Sequence, residues 1–86
     1  MILHIFSLPL SSYKLNELMI QQQDSILLTS DACYSAANFV STFSNCKLYA
    51  LETDIKARGV QTQHLELITD EQWVELIVQS KQHITW

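Results

Sequence analysis

Cys33 and Cys46 carry the strongest intrinsic chemistry in this sequence. A thiolate is a nucleophile, and a thiol near a helix N-terminus ionises more readily because the dipole there favours the anion. Cys33 falls just after the apolar run Ile26-Leu27-Leu28-Thr29, near the start of the next helical period. It is therefore the better-placed nucleophile, since ligands of open α/β sheets bind at the carboxyl ends of strands. Its company points the other way. Cys33, Ala36, Ala37 and Val40 recur at i, i+3, i+4 and i+7, one apolar helix face. A buried free cysteine behaves as a small hydrophobe. Cys46 opens a strand, is followed by Lys47, and reads as core or edge filler.

The other reactive types are scattered. His4, His64 and His83 show no ligand spacing with each other or with the cysteines, and no CxxC exists, so no metal site is expected. Gly59 is the only glycine, which excludes a GxGxxG turn or a P-loop; no cofactor is expected. The serines sit at caps and loops without a nucleophile-elbow motif. Asp54 and Arg58 stand at i, i+4 on a short helix. They read as a surface ion pair, or as an anchor for a partner's loop. Tyr13, Tyr34, Tyr49, Trp73 and Trp86 combine apolar rings with a polar handle, as interface residues do. Tyr34 and Trp73 fit helix faces as core or flank. Trp86 is costly to leave in water and should dock on its own subunit or on another.

These side chains must be held by alternating strands and helices. Ile2-Leu3-His4-Ile5-Phe6 reads as a strand ended by Ser7-Leu8-Pro9. Ser11 or Ser12 then caps a helix to about Gln22, with Leu15, Leu18 and Met19 at helical spacing. Ile26–Thr29 is an unbroken apolar strand, the pattern of a strand covered on both faces. Thr29 or Ser30 caps the next helix, with Asp31 in its first turn and Ser44-Asn45 at its end. Cys46–Leu51 is a third strand. A short helix runs from about Thr53 to Arg58, with Gly59 at C′. Leu65–Ile68 is a fourth strand, and Thr69 with Gln72 has the spacing of a capping box opening a last helix with Trp73, Leu76 and Ile77 on one face. His83–Trp86 forms a final short strand. The order βαβαβαβα predicts a single α/β domain over residues 1–86. It is a small three-layer α/β/α sandwich with a mainly parallel sheet of four to five strands.

Composition narrows the role. The chain has 86 residues, 48% of them hydrophobic and 16% charged, with net charge −4. That is too apolar for disorder and too short for more than one core. So apolar a surface on so small a domain favours an oligomer. The basic residues are Lys14, Lys47, Lys56, Arg58 and Lys81, dispersed along an acidic chain, so direct nucleic-acid binding is not expected. No apolar run is long enough to span a membrane. The first residues lack a basic n-region, and the apolar run is broken by His4, Ser7 and Pro9, so they read as mature structure, not a signal peptide. A cytoplasmic location with reduced thiols is the expectation.

One block is more specific than this patterning. Leu48-Tyr49-Ala50-Leu51-x-x-Asp54-x-x-Ala57-Arg58-Gly59-Val60 resembles the TusB/DsrH family. So do Leu3-His4, Ile26-Leu27-Leu28 with Asp31 and Tyr34, a helix opening at Asp70 and containing Val74, and Trp86. The resemblance spans nearly the whole chain in order and implies a DsrEFH-like fold. It implies a subunit that joins TusC-like and TusD-like partners in a heterohexamer, a dimer of heterotrimers. That assembly takes persulfide sulfur from a TusA-like carrier and passes it on through a TusE-like one. Its product is 2-thiouridine at the wobble position of transfer RNA; DsrH-like relatives serve sulfur oxidation. The principal persulfide cysteine belongs to the TusD-type subunit. DsrH-type members carry a cysteine in the first helix, at a position near Leu18 here, where this chain has none. The resemblance therefore implies a non-catalytic subunit. A persulfide on Cys33 is the alternative.

Overall fold

The computed structural model describes residues 2–14, 18–61 and 63–86. Five parallel strands form one sheet: β1 (Ile2–Phe6), β2 (Ser25–Leu28), β3 (Lys47–Leu51), β4 (Glu66–Ile68) and β5 (Gln82–Thr85). Their order across the sheet is β4-β3-β2-β1-β5. Among the described residues three α-helices lie in the connections after β2, β3 and β4: α1 (Ala36–Thr42), α2 (Glu52–Ala57) and α3 (Asp70–Gln79).

The order explains the layers. Steps from β1 to β2, β3 and β4 all move the same way across the sheet. Right-handed crossovers then place all three connecting segments on one face. The step from β4 to β5 returns past β1 and must put α3 on the opposite face. The core divides accordingly. On the first face Phe6, Ile26, Leu28, Leu48 and Ala50 meet Leu10, Cys33, Ala36, Phe39 and Ile55. On the second, Leu3, Ile5, Leu27, Leu51 and Ile68 meet Trp73, Leu76 and Ile77 of α3. The alternation within β1 is thus Leu3 and Ile5 to one side, Phe6 to the other. β2 is buried at all four positions, as its unbroken apolar run requires. Each fully buried side chain such as Phe6 or Phe39 contributes roughly 1.5–3 kcal/mol of transfer free energy. The sandwich is uneven: α3 alone covers its face, and none of its residues is fully buried.

Local signals place the element ends. Thr69 Oγ1 accepts from the Gln72 amide at 3.2 Å, and Gln72 Oε1 accepts from the Thr69 amide at 2.9 Å. The predicted capping box is formed. At the end of α2, Gly59 has φ 62°, its amide donates to Lys56 O, and the Val60 amide donates to Ile55 O. This is a complete Schellman closure, and Gly59 supplies the left-handed residue it needs.

Two expectations fail. The helix expected from Ser11 or Ser12 to Gln22 is not the structure of the residues described there. Leu10–Ser12 is one 3-10 turn, Tyr13 is extended, and residues 18–21 are irregular before a turn at Gln22-Gln23. Leu15, at the centre of the expected period, lies outside the described residues. The apolar side chains are used all the same, since Leu10, Tyr13, Leu18 and Ile20 all pack on the first face. The second failure follows β2. The segment opens as a 3-10 helix, Ser30–Ser35, and becomes α-helical only at Ala36. A three-residue turn shifts the buried face to Cys33, Ala36 and Phe39, leaving Ala37 exposed and Val40 half-buried. Thr29 does not cap it; its hydroxyl donates to Phe6 O at 2.9 Å.

Candidate functional site

The carboxyl ends of β2 and β3 bring together four of the residues that carry the family resemblance, two of them from the Leu48–Val60 block. Asp31 and Tyr34 come from the 3-10 segment after β2, Asp54 and Arg58 from α2 after β3. Arg58 Nε and Nη2 both donate to Asp31 Oδ1 at 3.2 Å. Its Nη1 donates to the Asp54 carbonyl at 3.3 Å, with Asp54 Oδ1 at 3.8 Å. The guanidinium lies 5.7 Å from the centroid of the Tyr34 ring. The Asp54 carboxylate accepts instead from the Ser30 amide at 2.8 Å, where Ser30 takes φ 48°. The sequence expectation of a simple Asp54–Arg58 surface pair is therefore incomplete: Arg58 ties two segments together, chiefly through Asp31. Tyr34, expected in the core or on a flank, is 61% exposed, with the Arg58 guanidinium against its ring. A residue in the 3-10 turn points away from the face that an α-helix would have given it.

Cys33 lies beneath this clamp and is fully buried. Its Sγ donates to Leu28 O at 3.8 Å. Burial pushes its thiol up to about 11, the Asp54 and Asp31 carboxylates add to the rise, and Arg58 offsets part of it. The expected activation by a helix N-terminus is absent. The turn there is 3-10, with two carboxylates facing it. Cys46 precedes β3, is half-buried, and donates to Gln21 O at 3.3 Å. Burial raises its thiol too, helped by Asp24.

A second constellation runs through the sheet. His4, fully buried on the inner strand β1, meets Asp24 Oδ2 through Nε2 at 2.9 Å. Its Nδ1 accepts from the Trp86 indole N–H at 3.0 Å. An indole nitrogen only donates, so Nδ1 must be unprotonated and the proton of His4 sits on Nε2. Asp24 also accepts from the Ile2 and Gln21 amides at 3.1 and 3.2 Å. Burial alone would raise its carboxyl; the hydrogen bonds from His4, Gln21 and Ile2 outweigh that and hold it below the usual range. Trp86 settles on its own subunit. Its amide donates to Ile5 O at 2.9 Å, its ring stacks on Phe6 at 6.2 Å, and its carbonyl accepts from Tyr13 Oη at 3.3 Å.

The remaining sequence candidates do not join either group. Leu3 is core against α3. Tyr49 is half-buried on that same face, with Lys47 Nζ 5.5 Å from its ring centroid. Gly59 serves the α2 closure. Asp24 and Ser30 were missed as site residues, and Tyr13, read as an interface type, instead bonds Trp86 of its own chain. Asp24 carries one signal, a lone carboxylate directly before an unbroken apolar strand; its meeting with His4 depends on the β1–β2 register, which pairs Leu3 with Ser25. A surface cavity of about 530 Å³ lies elsewhere, between α1 and the segment before β4, lined by Ala36, Val40, Gln61 and His64 among others. Among the described residues no three metal-binding side chains gather, and no helix is long and apolar enough to cross a membrane.

Comparison with known proteins supplies what geometry alone does not. The family model for DsrH like protein matches residues 9–83. Among solved structures, the crystal structure of the ychN protein from E. coli superposes with a TM-score of 0.68 over 99% of this chain and 97% of that one, at 14% sequence identity. At that identity the likeness speaks for the fold. No curated protein sequence gives a match.

Proposed function

This chain belongs to the DsrH-like family, and on that premise we propose that it is a non-catalytic subunit of a sulfur-relay complex. Membership supports a role in sulfur relay in general. The reading extends it to a cytoplasmic assembly with TusC-like and TusD-like subunits, a dimer of heterotrimers that serves 2-thiouridine formation at the transfer-RNA wobble position. TusA-like and TusE-like carriers would meet that assembly at its catalytic subunit, not at this chain. A DsrH-like place in sulfur oxidation would use the same architecture with a different destination.

The state of the two thiols is the observation that carries the non-catalytic reading. A sulfur carrier needs a thiolate that a donor persulfide can reach. Cys33 is fully buried and held protonated, and Cys46 is half-buried with its thiol raised. The Arg58 clamp, by contrast, fixes an exposed edge built from Asp31, Tyr34 and Asp54, suited to docking.

Co-expression with TusC-like and TusD-like subunits of the same genome, followed by native mass, tests the assembly. A species containing all three chains is expected; recovery of this chain alone would remove the reading. Within that assembly the double variant Cys33→Ala, Cys46→Ala should sustain transfer-RNA thiolation at a rate near the parent's. Loss of thiolation by a folded, assembled double variant would instead make one of these thiols a sulfur carrier.

A further inference from the structure

We infer that His4 is a proton-operated latch that holds Trp86 against the first face of the sheet. The chain leaves β1 towards β2 on one side and returns to β1 with β5 on the other. Trp86, directly after β5, lies over β1, stacked on Phe6 and His4 and tied through its carbonyl to Tyr13.

The latch follows from the hydrogen-bond inventory of the imidazole. Both ring nitrogens are used: Nε2–H donates to Asp24, and Nδ1 accepts from the Trp86 indole. Protonation at Nδ1 turns the acceptor into a donor. The indole N–H then faces an N–H, and that bond is lost. The other bond survives, because the new imidazolium keeps Nε2–H on the Asp24 carboxylate and gains an ion pair there. The proton is thus accommodated on one side of the ring at the expense of the other. From β2's side His4 faces Asp24, and from β5's side Trp86. Those are the side-chain hydrogen-bond and ion-pair partners of the ring among the described residues. Histidine is the side chain whose charge ordinarily changes between about pH 5 and 8. Losing one neutral hydrogen bond lowers the equilibrium constant for seating Trp86 roughly two- to tenfold.

The test uses the fluorescence of Trp86 in a Trp73→Phe background. Trp73 Nε1 is buried with no hydrogen-bond partner among the described residues, so phenylalanine there forfeits no bond. Acidification from about pH 8 to about pH 5 should shift the emission to the red in a one-proton transition, with the far-ultraviolet circular dichroism unchanged. His4→Asn keeps an oxygen near the Nδ1 position for the indole and does not titrate; the transition should vanish in it. Nitrogen-15 spectra of the unaltered protein give a readout that needs no variant. They should show the Nε2–H tautomer at pH 8 and exchange broadening of the Trp86 indole proton on acidification. An emission that ignores pH, an Nδ1–H tautomer, persistence of the transition in a folded His4→Asn protein, or coincidence with global unfolding would each overturn the latch.

Discussion

At the scale of single residues, the same element type serves opposite ends. Cys33 and Cys46 were legible in the sequence as the reactive types, and the apolar company of Cys33 correctly marked it as core. The sign of its thiol shift was not legible, because it depends on Asp31 and Asp54 arriving from two segments and on the turn being 3-10. Native alkylation should therefore label Cys46 well before Cys33 at pH 7, with Cys33 reacting only as fast as the protein opens; mass spectrometry of timed quenches reads this directly. The raised thiol has a second consequence. Folding keeps Cys33 protonated while the unfolded chain ionises near its ordinary value of 9.0. Its contribution to stability is thus intact below pH 9 and is lost as pH rises towards about 11. Cys33→Ala should flatten that alkaline fall in urea-melt stability, and an unchanged slope would contradict the assignment. The meeting of His4, Asp24 and Trp86 was beyond sequence reasoning altogether, since each stands alone in its own stretch of chain.

At the scale of elements, end signals were read well and interiors less so. The Thr69–Gln72 box and the Gly59 closure use backbone rules confined to four or five neighbours, so local sequence contains them. The first crossover failed because Leu15, Leu18 and Met19 fit helical spacing, yet Met19 is exposed while Leu18 and Ile20 pack on the sheet from irregular chain. The Arg58 clamp is likewise a tertiary fact, and it makes a graded forecast. Arg58→Lys loses the fork on Asp31 and the planar contact with Tyr34, and should cost about 0.5–1 kcal/mol in thermal or urea melts. Gly59→Ala meets no atom within 4 Å, so its cost is backbone strain alone, about 1 kcal/mol. A cost several times larger would mean that the space beside Gly59 is not open.

At the scale of the whole molecule, the parallel sheet with helices on both faces was legible from the alternation of runs, whereas the strand order was not. Pattern alone does not say that β5 returns past three strands to lie outside β1. The order ranks the strands by protection. β1, β2 and β3 are flanked on both sides, while β4 and β5 each have one neighbour. Amide hydrogen exchange should be slowest in β1–β3 and fastest in β4 and β5, and equal protection across the five would contradict this topology. Return of β5 to β1 also has a bearing on synthesis. Of these five strands β1 is made before the others and is an inner strand, but its outer neighbour begins with Gln82, opposite Ile2. While the intervening chain is being made, β1 therefore presents an unpaired backbone edge, with Phe6 and His4 lacking their Trp86 cover. Such an edge is a template for mispairing. A nascent chain of this protein is at its most adhesive until β5 appears, and the arrival of β5 pairs β1 and covers its edge in a single event.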